Sequence, residues 1–237
     1  MITCELWGIT WDNIKRGDAI FLGENKKNVV GMVGDGAGEN VEWMVQDFLY
    51  KLGYEFLEMD LSEEKVFSTI NDIANECVYN EVPVKTTVAG FVVIKEKDIA
   101  LLFSVGDSYV LCDEKGRFII PDNLLPLCEG WIAWKEGREI MEHPEFPLEW
   151  VELPGGIKRR FLYREPRVLA VHHCNKILIG SDGAFKNVKW VRSPDKRKIF
   201  LPWSSQLSFG EIYQRLRAVS GGSEDDKSIV VWEGGIG

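Results

Sequence analysis

Apolar residues recur along the chain in short, dense runs: Val29–Val33, Ala89–Ile94, Ile99–Val105, Val168–Val171, Lys176–Ile179 and Ile229–Trp232. Runs of this length, rich in Val, Ile and Phe and mostly bounded by turn residues, predict buried strands. The charged turn Lys95-Glu96-Lys97-Asp98 separates two of them and predicts a β-hairpin. Three further segments follow helical period. Glu39–Leu52 sets Val41, Val45, Phe48 and Leu52 on one stripe, with Gly53 behind it as a stop. Ser62–Asn80 opens on Ser62 as N-cap, carries Glu63 and Glu64 in the first turn, and buries Val66, Ile70, Ile73 and Cys77. Ser208–Val219 opens on a capping box, Ser208 to Glu211, with Leu207 and Ile212 as a hydrophobic staple and Gly221-Gly222 at its end. Strand runs interleaved with a few helices predict an α+β layered fold, with antiparallel sheets covered by helices.

The segment Pro121–Arg167 breaks the pattern with Trp131, Trp134, Trp150, clustered prolines and mixed charge. It reads as a long irregular excursion, either a flap or lid with short helices or a small packing subdomain. No repeat, low-complexity tract or linker interrupts the chain, so one domain over residues 1–237 is expected.

Charge narrows the function. The chain carries 28 Lys+Arg against 37 Asp+Glu, a formal net charge of −9. That balance argues against nucleic acid and against an anionic membrane surface as partners. No apolar stretch approaches the roughly 20 residues of a membrane span. Met1–Trp7 lacks the basic start of a signal peptide, and the expected location is cytoplasmic. Five scattered cysteines without a Cys-x-x-Cys pair read as reduced, buried fillers rather than disulfides or a zinc site. Histidines are few: His143, His172 and His173. The pair His172-His173 reads as structural, and for a general acid these two are only guesses.

A recurring motif carries the chemistry. Apolar strands run into Gly- or Ser-flanked aspartates at Val33-Gly34-Asp35-Gly36, Val105-Gly106-Asp107-Ser108 and Gly180-Ser181-Asp182-Gly183. In Asp225-Asp226-Lys227-Ser228-Ile229 the acids precede the strand. An Asp at a strand end is held rigidly at the rim of a sheet, and several converging there would repel one another unless cations lay between them. All-oxygen ligands select hard divalent ions, Mg²⁺ or Mn²⁺. Taken singly, each Asp-Gly pair is also an ordinary turn.

The order Asp35-Gly36-Ala37-Gly38, Thr86-Thr87, Gly106-Asp107-Ser108, Ser181-Asp182-Gly183 and Asp225-Asp226-Lys227-Ser228-Ile229-Val230-Val231 resembles the metal-dependent protein Ser/Thr phosphatases of the type 2C (PPM) class, in their compact prokaryotic-like form. It extends over about Asp18 to Trp232. The resemblance implies a four-layer α/β/β/α sandwich of two antiparallel sheets flanked by helices, with two or three Mn²⁺ or Mg²⁺ ions at one end. It implies that Asp35 bridges two ions, that the Gly36 carbonyl and Asp182 bind them, and that Asp225 completes the set. Asp107 would serve a third ion. Asp18 would hold metal-bound water, making it a catalytic group with Asp35. The implied reaction is hydrolysis of a Ser/Thr phosphomonoester by a metal-bridging hydroxide. The implied partner is a phosphorylated protein, a Ser/Thr kinase or its target, met by a monomer.

Four positions depart from that pattern. Gly17 stands where the family has a Glu, and Asp226 where it often has Asn. Asn13 stands where a phosphate-binding Arg is expected, so Arg16 is the nearest candidate anchor, with Lys15 beside it. Ala184-Phe185-Lys186 follows Gly183, where the family often has a further Asp. Alternatives therefore stay open: a catalytically weak or inactive relative that binds phosphoproteins or regulates a kinase, a small-metabolite phosphatase, or a β-rich domain whose Asp-Gly pairs are only turns.

Overall fold

The apolar runs become strands that pair into two large antiparallel sheets. The structure is a computed structural model. It describes residues 5–36, 40–79, 86–97, 99–126, 133–134, 148–153, 157–162, 166–195, 197–221 and 224–234. One sheet has the order β11 (Arg167–His172), β5 (Ile99–Val105), β4 (Thr86–Ile94), β3 (Asn28–Gly36), β2 (Ala19–Glu24). The other runs β1 (Glu5–Trp11), β15 (Lys227–Glu233), β12 (Lys176–Gly180), β6 (Tyr109–Glu114), β7 (Arg117–Ile120), β14 (Ile199–Ser204), β13 (Val191–Arg192). Among the described residues four helices complete these layers: α1 (Glu42–Glu58), α2 (Glu63–Tyr79), α3 (Asp182–Phe185) and α4 (Phe209–Ser220).

Strand alternation sorts the side chains into layers. On β3, Val29 and Val33 face the other sheet, while Val30 and Met32 face α1. On β12 and β15, Ile177, Ile179, Val230 and Trp232 fill the space between the sheets. Their neighbours Leu178, Ile229 and Val231 pack under Ile212 and Leu216 of α4. Helices α1 and α2 close the far side with Val45, Phe48, Leu52, Val66 and Ile70. The result is the expected α/β/β/α sandwich. No helix among the described residues is long and apolar enough to cross a membrane.

Several sequence expectations are met in detail. Ile94 pairs with Ile99 across the turn at Lys95–Lys97, which makes the expected hairpin; Asp98 lies outside the described residues. Ser62 accepts the Lys65 backbone N–H at the start of α2. Ser208 and Glu211 form the full capping box. Cys112 and Cys174 are buried free thiols; Cys4, Cys128 and the Cys77 side chain lie outside the described residues.

One expectation is corrected. Helix α1 does not stop at Gly53 but runs to Glu58. A Cβ at Gly53 would lie 2.3 Å from the Phe21 ring, so this glycine brings α1 close onto β2 rather than ending it. Most of the segment after Pro121 lies outside the described residues. Its described part holds a 3₁₀ turn, Asp122–Leu124, and a separate antiparallel sheet of β8 (Ala133–Trp134), β10 (Ile157–Leu162) and β9 (Leu148–Leu153), and shows no α-helix.

Candidate functional site

Strand direction brings the chemistry to one end of the sandwich. Asp18 precedes β2, Asp35 closes β3 opposite Thr87, Asp107 follows β5, Asp182 follows β12, and Asp225 and Asp226 precede β15. The register puts all these termini at the same rim, because Val88 pairs with Val105, Gly180 with Tyr109 and Gly180 with Ile229. His172 pairs with Ile99 at the opposite end of β5. Seven residues of strand, on the order of 20 Å, separate it from the acids. Neither exposed histidine of that pair can act as the general acid.

Beneath the carboxylates lies a layer of small hydroxyl residues, placed by strand alternation at inward positions. Thr87 and Ser108 share a hydrogen bond of 2.7 Å, and Thr10 and Ser228 one of 2.9 Å. The Ser228 backbone N–H donates to Ser181 Oγ at 3.0 Å. Ser181 and Ser228 in turn bond the Asp18 carboxyl. Asp18 is 1% exposed, and its Oδ2 has no partner. Burial pushes its pKa up to about 7, against the two serine bonds, with Asp226 and Asp182 adding like-charge repulsion.

Asp35 is also held well above the usual carboxylate range. Burial is the largest cause, followed by Asp18 and Asp182; its carboxyl also shares a hydrogen bond with Asp182, and Asp107 contributes. Acids crowded this way ionise together only when cations join them. The orphaned Asp18 oxygen and the Asp35–Asp182 contact therefore fit a divalent-ion site with carboxylate donors. Among the described residues, no three His, Cys, Asp or Glu side chains already stand as a closed ligand set.

A pH consequence follows for the metal-free protein. Folded Asp18 keeps a proton that the unfolded chain releases at about pH 4, so the folded state binds more protons between those values. The thermal midpoint in EDTA should fall as pH rises from 5 to 8. A midpoint that climbs over that interval would contradict the assignment.

Asp225 stands apart from the other acids. Its oxygens take Lys15 Nζ and Lys186 Nζ, each at 3.2 Å. Burial disfavours its charge, but the two ammonium groups together hold its carboxyl below the usual range. Its carbonyl accepts from the fully buried Lys227 Nζ at 2.8 Å. Asp226 does a different job: its carboxylate accepts the backbone N–H groups of Lys15 and Gly17 at 2.9 and 2.7 Å. That ties the loop before β2 to the start of β15. Gly17 in turn lies against Gly36. The Gly36 N–H donates to the Gly17 carbonyl at 3.2 Å, and a Cβ on Gly17 would fall 2.5 Å from the Gly36 oxygen.

Arg16 lines a cleft of about 360 Å³ with Asn40, Glu42, Trp43 and Gln46, none of them an aspartate of the cluster. Residues 37–39, which contain Ala37 and Gly38 of the first motif, lie outside the described residues. Sequence reasoning missed the hydroxyl layer, the Lys15–Asp225–Lys186 contact and the Gly17–Gly36 packing. For the hydroxyls a signal existed: Ser181 and Ser228 lie two residues from the inward Ile179 and Val230. For the lysines none did, because 171 residues separate the two partners that meet on Asp225.

No family model and no curated protein matches the sequence. Solved structures do match, over nearly the whole chain. RsbX in complex with magnesium is 15% identical, with 99% of this chain and 100% of that chain covered and a TM-score of 0.57. The serine/threonine phosphatase of S. agalactiae is 14% identical, with 98% and 99% covered and a TM-score of 0.61. The phosphatase domain of the cell fate determinant SpoIIE from Bacillus subtilis is 14% identical, with 99% and 92% covered and a TM-score of 0.54. At such identities the likeness establishes the fold.

Proposed function

We propose that this chain, whose fold is that of the type 2C phosphatases, is a Mn²⁺- or Mg²⁺-dependent phosphomonoester hydrolase acting on phosphorylated serine or threonine in a protein. One observation carries the reading: Asp182 acts on the carboxyls of both Asp18 and Asp35, and Asp18 on that of Asp35, at one rim, with a buried Asp18 oxygen that has no partner. Asp35, the Gly36 carbonyl, Asp182 and Asp225 would hold two ions, and Asp107 a third. Bound ions would supply an activated water and neutralise charge on the phosphoryl oxygens. Asp18, fixed by Ser181 and Ser228, would orient water at its free oxygen. Ser181 and Ser228 hold Asp18, and attack by a metal-activated water would need no side-chain nucleophile. A kinase or its target in the cytoplasm is the substrate class that this activity would meet, with the chain acting as a monomer.

The test is a rate comparison. Purified protein with Mn²⁺ should release phosphate from p-nitrophenyl phosphate and, faster, from phosphothreonine peptides than from sugar phosphates. Preference for sugar phosphates would assign a small-metabolite phosphatase instead. Binding of Mn²⁺ without turnover on any of the three would assign a non-catalytic phosphoprotein-binding role.

Metal should also stabilise the fold, since it binds the native rim and not the unfolded chain. At 100 times its dissociation constant the gain is about 2.7 kcal/mol, or roughly 5–11 °C in thermal midpoint for a chain of this size. A midpoint indifferent to Mn²⁺ would count against a site at the strand ends.

A further inference from the structure

We propose that Lys15 and Lys186 together form the phosphate anchor of this rim, the part for which the sequence offers Asn13 instead of an arginine. The inference rests on the phosphomonoesterase reading above and names the groups that would hold its substrate. Lys15 lies in the loop before β2, and Lys186 directly follows α3, whose first residue is Asp182. Their ammonium groups converge on opposite oxygens of Asp225, Lys15 on Oδ1 and Lys186 on Oδ2.

The backbone under Lys15 is pinned from two sides. Its N–H donates to Asp226 at 2.9 Å, and its carbonyl accepts from Asn40 at 2.8 Å. Both lysine side chains are about half exposed, 48% and 52%, so each can re-aim without disturbing the core. Arg16, the nearest guanidinium in sequence, lines the cleft with Glu42 and Trp43 instead.

Charge balance gives the pair its role. Asp225 faces these two ammonium groups with its carboxylate, while the buried Lys227 holds its carbonyl. A divalent ion that claims the Asp225 carboxylate takes from both ammonium groups the partner they share. A phosphoryl dianion arriving at that rim can accept hydrogen bonds from both lysines in its place. Metal and phosphate should therefore each strengthen the other's binding, by the same factor. Without phosphate, the lysines compete with the ion for Asp225.

Calorimetric titration separates these effects without needing turnover. The wild type, Lys15→Met, Lys186→Met, the double variant and Lys186→Arg are titrated with Mn²⁺ alone, then with inorganic phosphate at saturating Mn²⁺. Each Met substitution should weaken phosphate by about 10-fold, the scale of one charge-assisted hydrogen bond. The same variants should bind Mn²⁺ alone more tightly than the wild type, and Lys186→Arg should keep phosphate within about 3-fold of it. On p-nitrophenyl phosphate the Met variants should raise KM more than they lower kcat. Unchanged phosphate affinity in the double variant, or weaker Mn²⁺ binding in both single variants, would overturn the anchor. A wild type that binds phosphate through these lysines yet hydrolyses no phosphomonoester would instead overturn the enzymatic reading and leave the anchor standing.

Discussion

Asp35→Asn should lower Mn²⁺-dependent phosphate release by about 1000-fold or more, the scale set by removing a group that organises charge at the reacting centre. The same substitution should raise the thermal midpoint in EDTA. Asp35 lies among Asp18, Asp182 and Asp107, and burial together with their charges holds its carboxyl far above its ordinary range. The neutral amide keeps the shape and has no proton to take up on folding, so the metal-free fold escapes the cost of protonating an acid that the unfolded chain would ionise. Loss of activity combined with gain of metal-free stability is the signature of a functional acid cluster. A turn aspartate would give neither. Parallel measurements of initial rate with Mn²⁺ and of thermal midpoint in EDTA check both halves. An active Asp35→Asn, or one destabilised in EDTA, would contradict the assignment.

Gly17→Glu, the change that restores the residue seen in the phosphatase motif, should damage the protein. Any Cβ at position 17 falls 2.5 Å from the Gly36 carbonyl oxygen, a backbone atom that cannot rotate away. The loop carrying Lys15 to Asp18 must then lift off β3, breaking the Gly36-to-Gly17 hydrogen bond and straining the two bonds to Asp226. Overpacking of this kind costs about 1–3 kcal/mol. For this chain length the thermal midpoint should fall by roughly 2–12 °C, with Gly17→Ala close behind. Mn²⁺ affinity should fall by about 10-fold or more, because the Gly36 carbonyl is displaced. A Gly17→Glu protein with wild-type midpoint and improved turnover would show that the Gly17–Gly36 contact is not required.

Most of the layering was legible because a strand buried on both faces reads as a continuous apolar run. The runs at β3, β4, β5, β12 and β15 gave themselves away by Val, Ile and Phe, and their ends located the acids. Strands β1, β2, β6, β7 and β14 were not read as strands. They carry Glu, Asp, Arg, Gly and Pro among their apolar residues, and several lie toward the sheet edges, where one side can be wet. Gly53 misled because a glycine behind an apolar stripe looks like a helix stop, while here it is a point of close packing against Phe21. At the site, the individual aspartates were readable from their Gly and Ser neighbours. Their cross-chain partners were not: Asp226 holding Gly17, the lysines on Asp225 and the serines under Asp18 all join residues far apart in sequence.

The most direct test of the account counts Mn²⁺ and turnover on the same sample. Metal-free protein is titrated calorimetrically with Mn²⁺, and phosphate release from a phosphothreonine peptide is measured at each point. The account predicts at least two Mn²⁺ bound per chain, with turnover rising as the second is taken up. It also predicts that EDTA abolishes turnover and that excess Mn²⁺ restores it. Turnover that persists in EDTA, or a fully Mn²⁺-loaded protein that releases no phosphate, would contradict it.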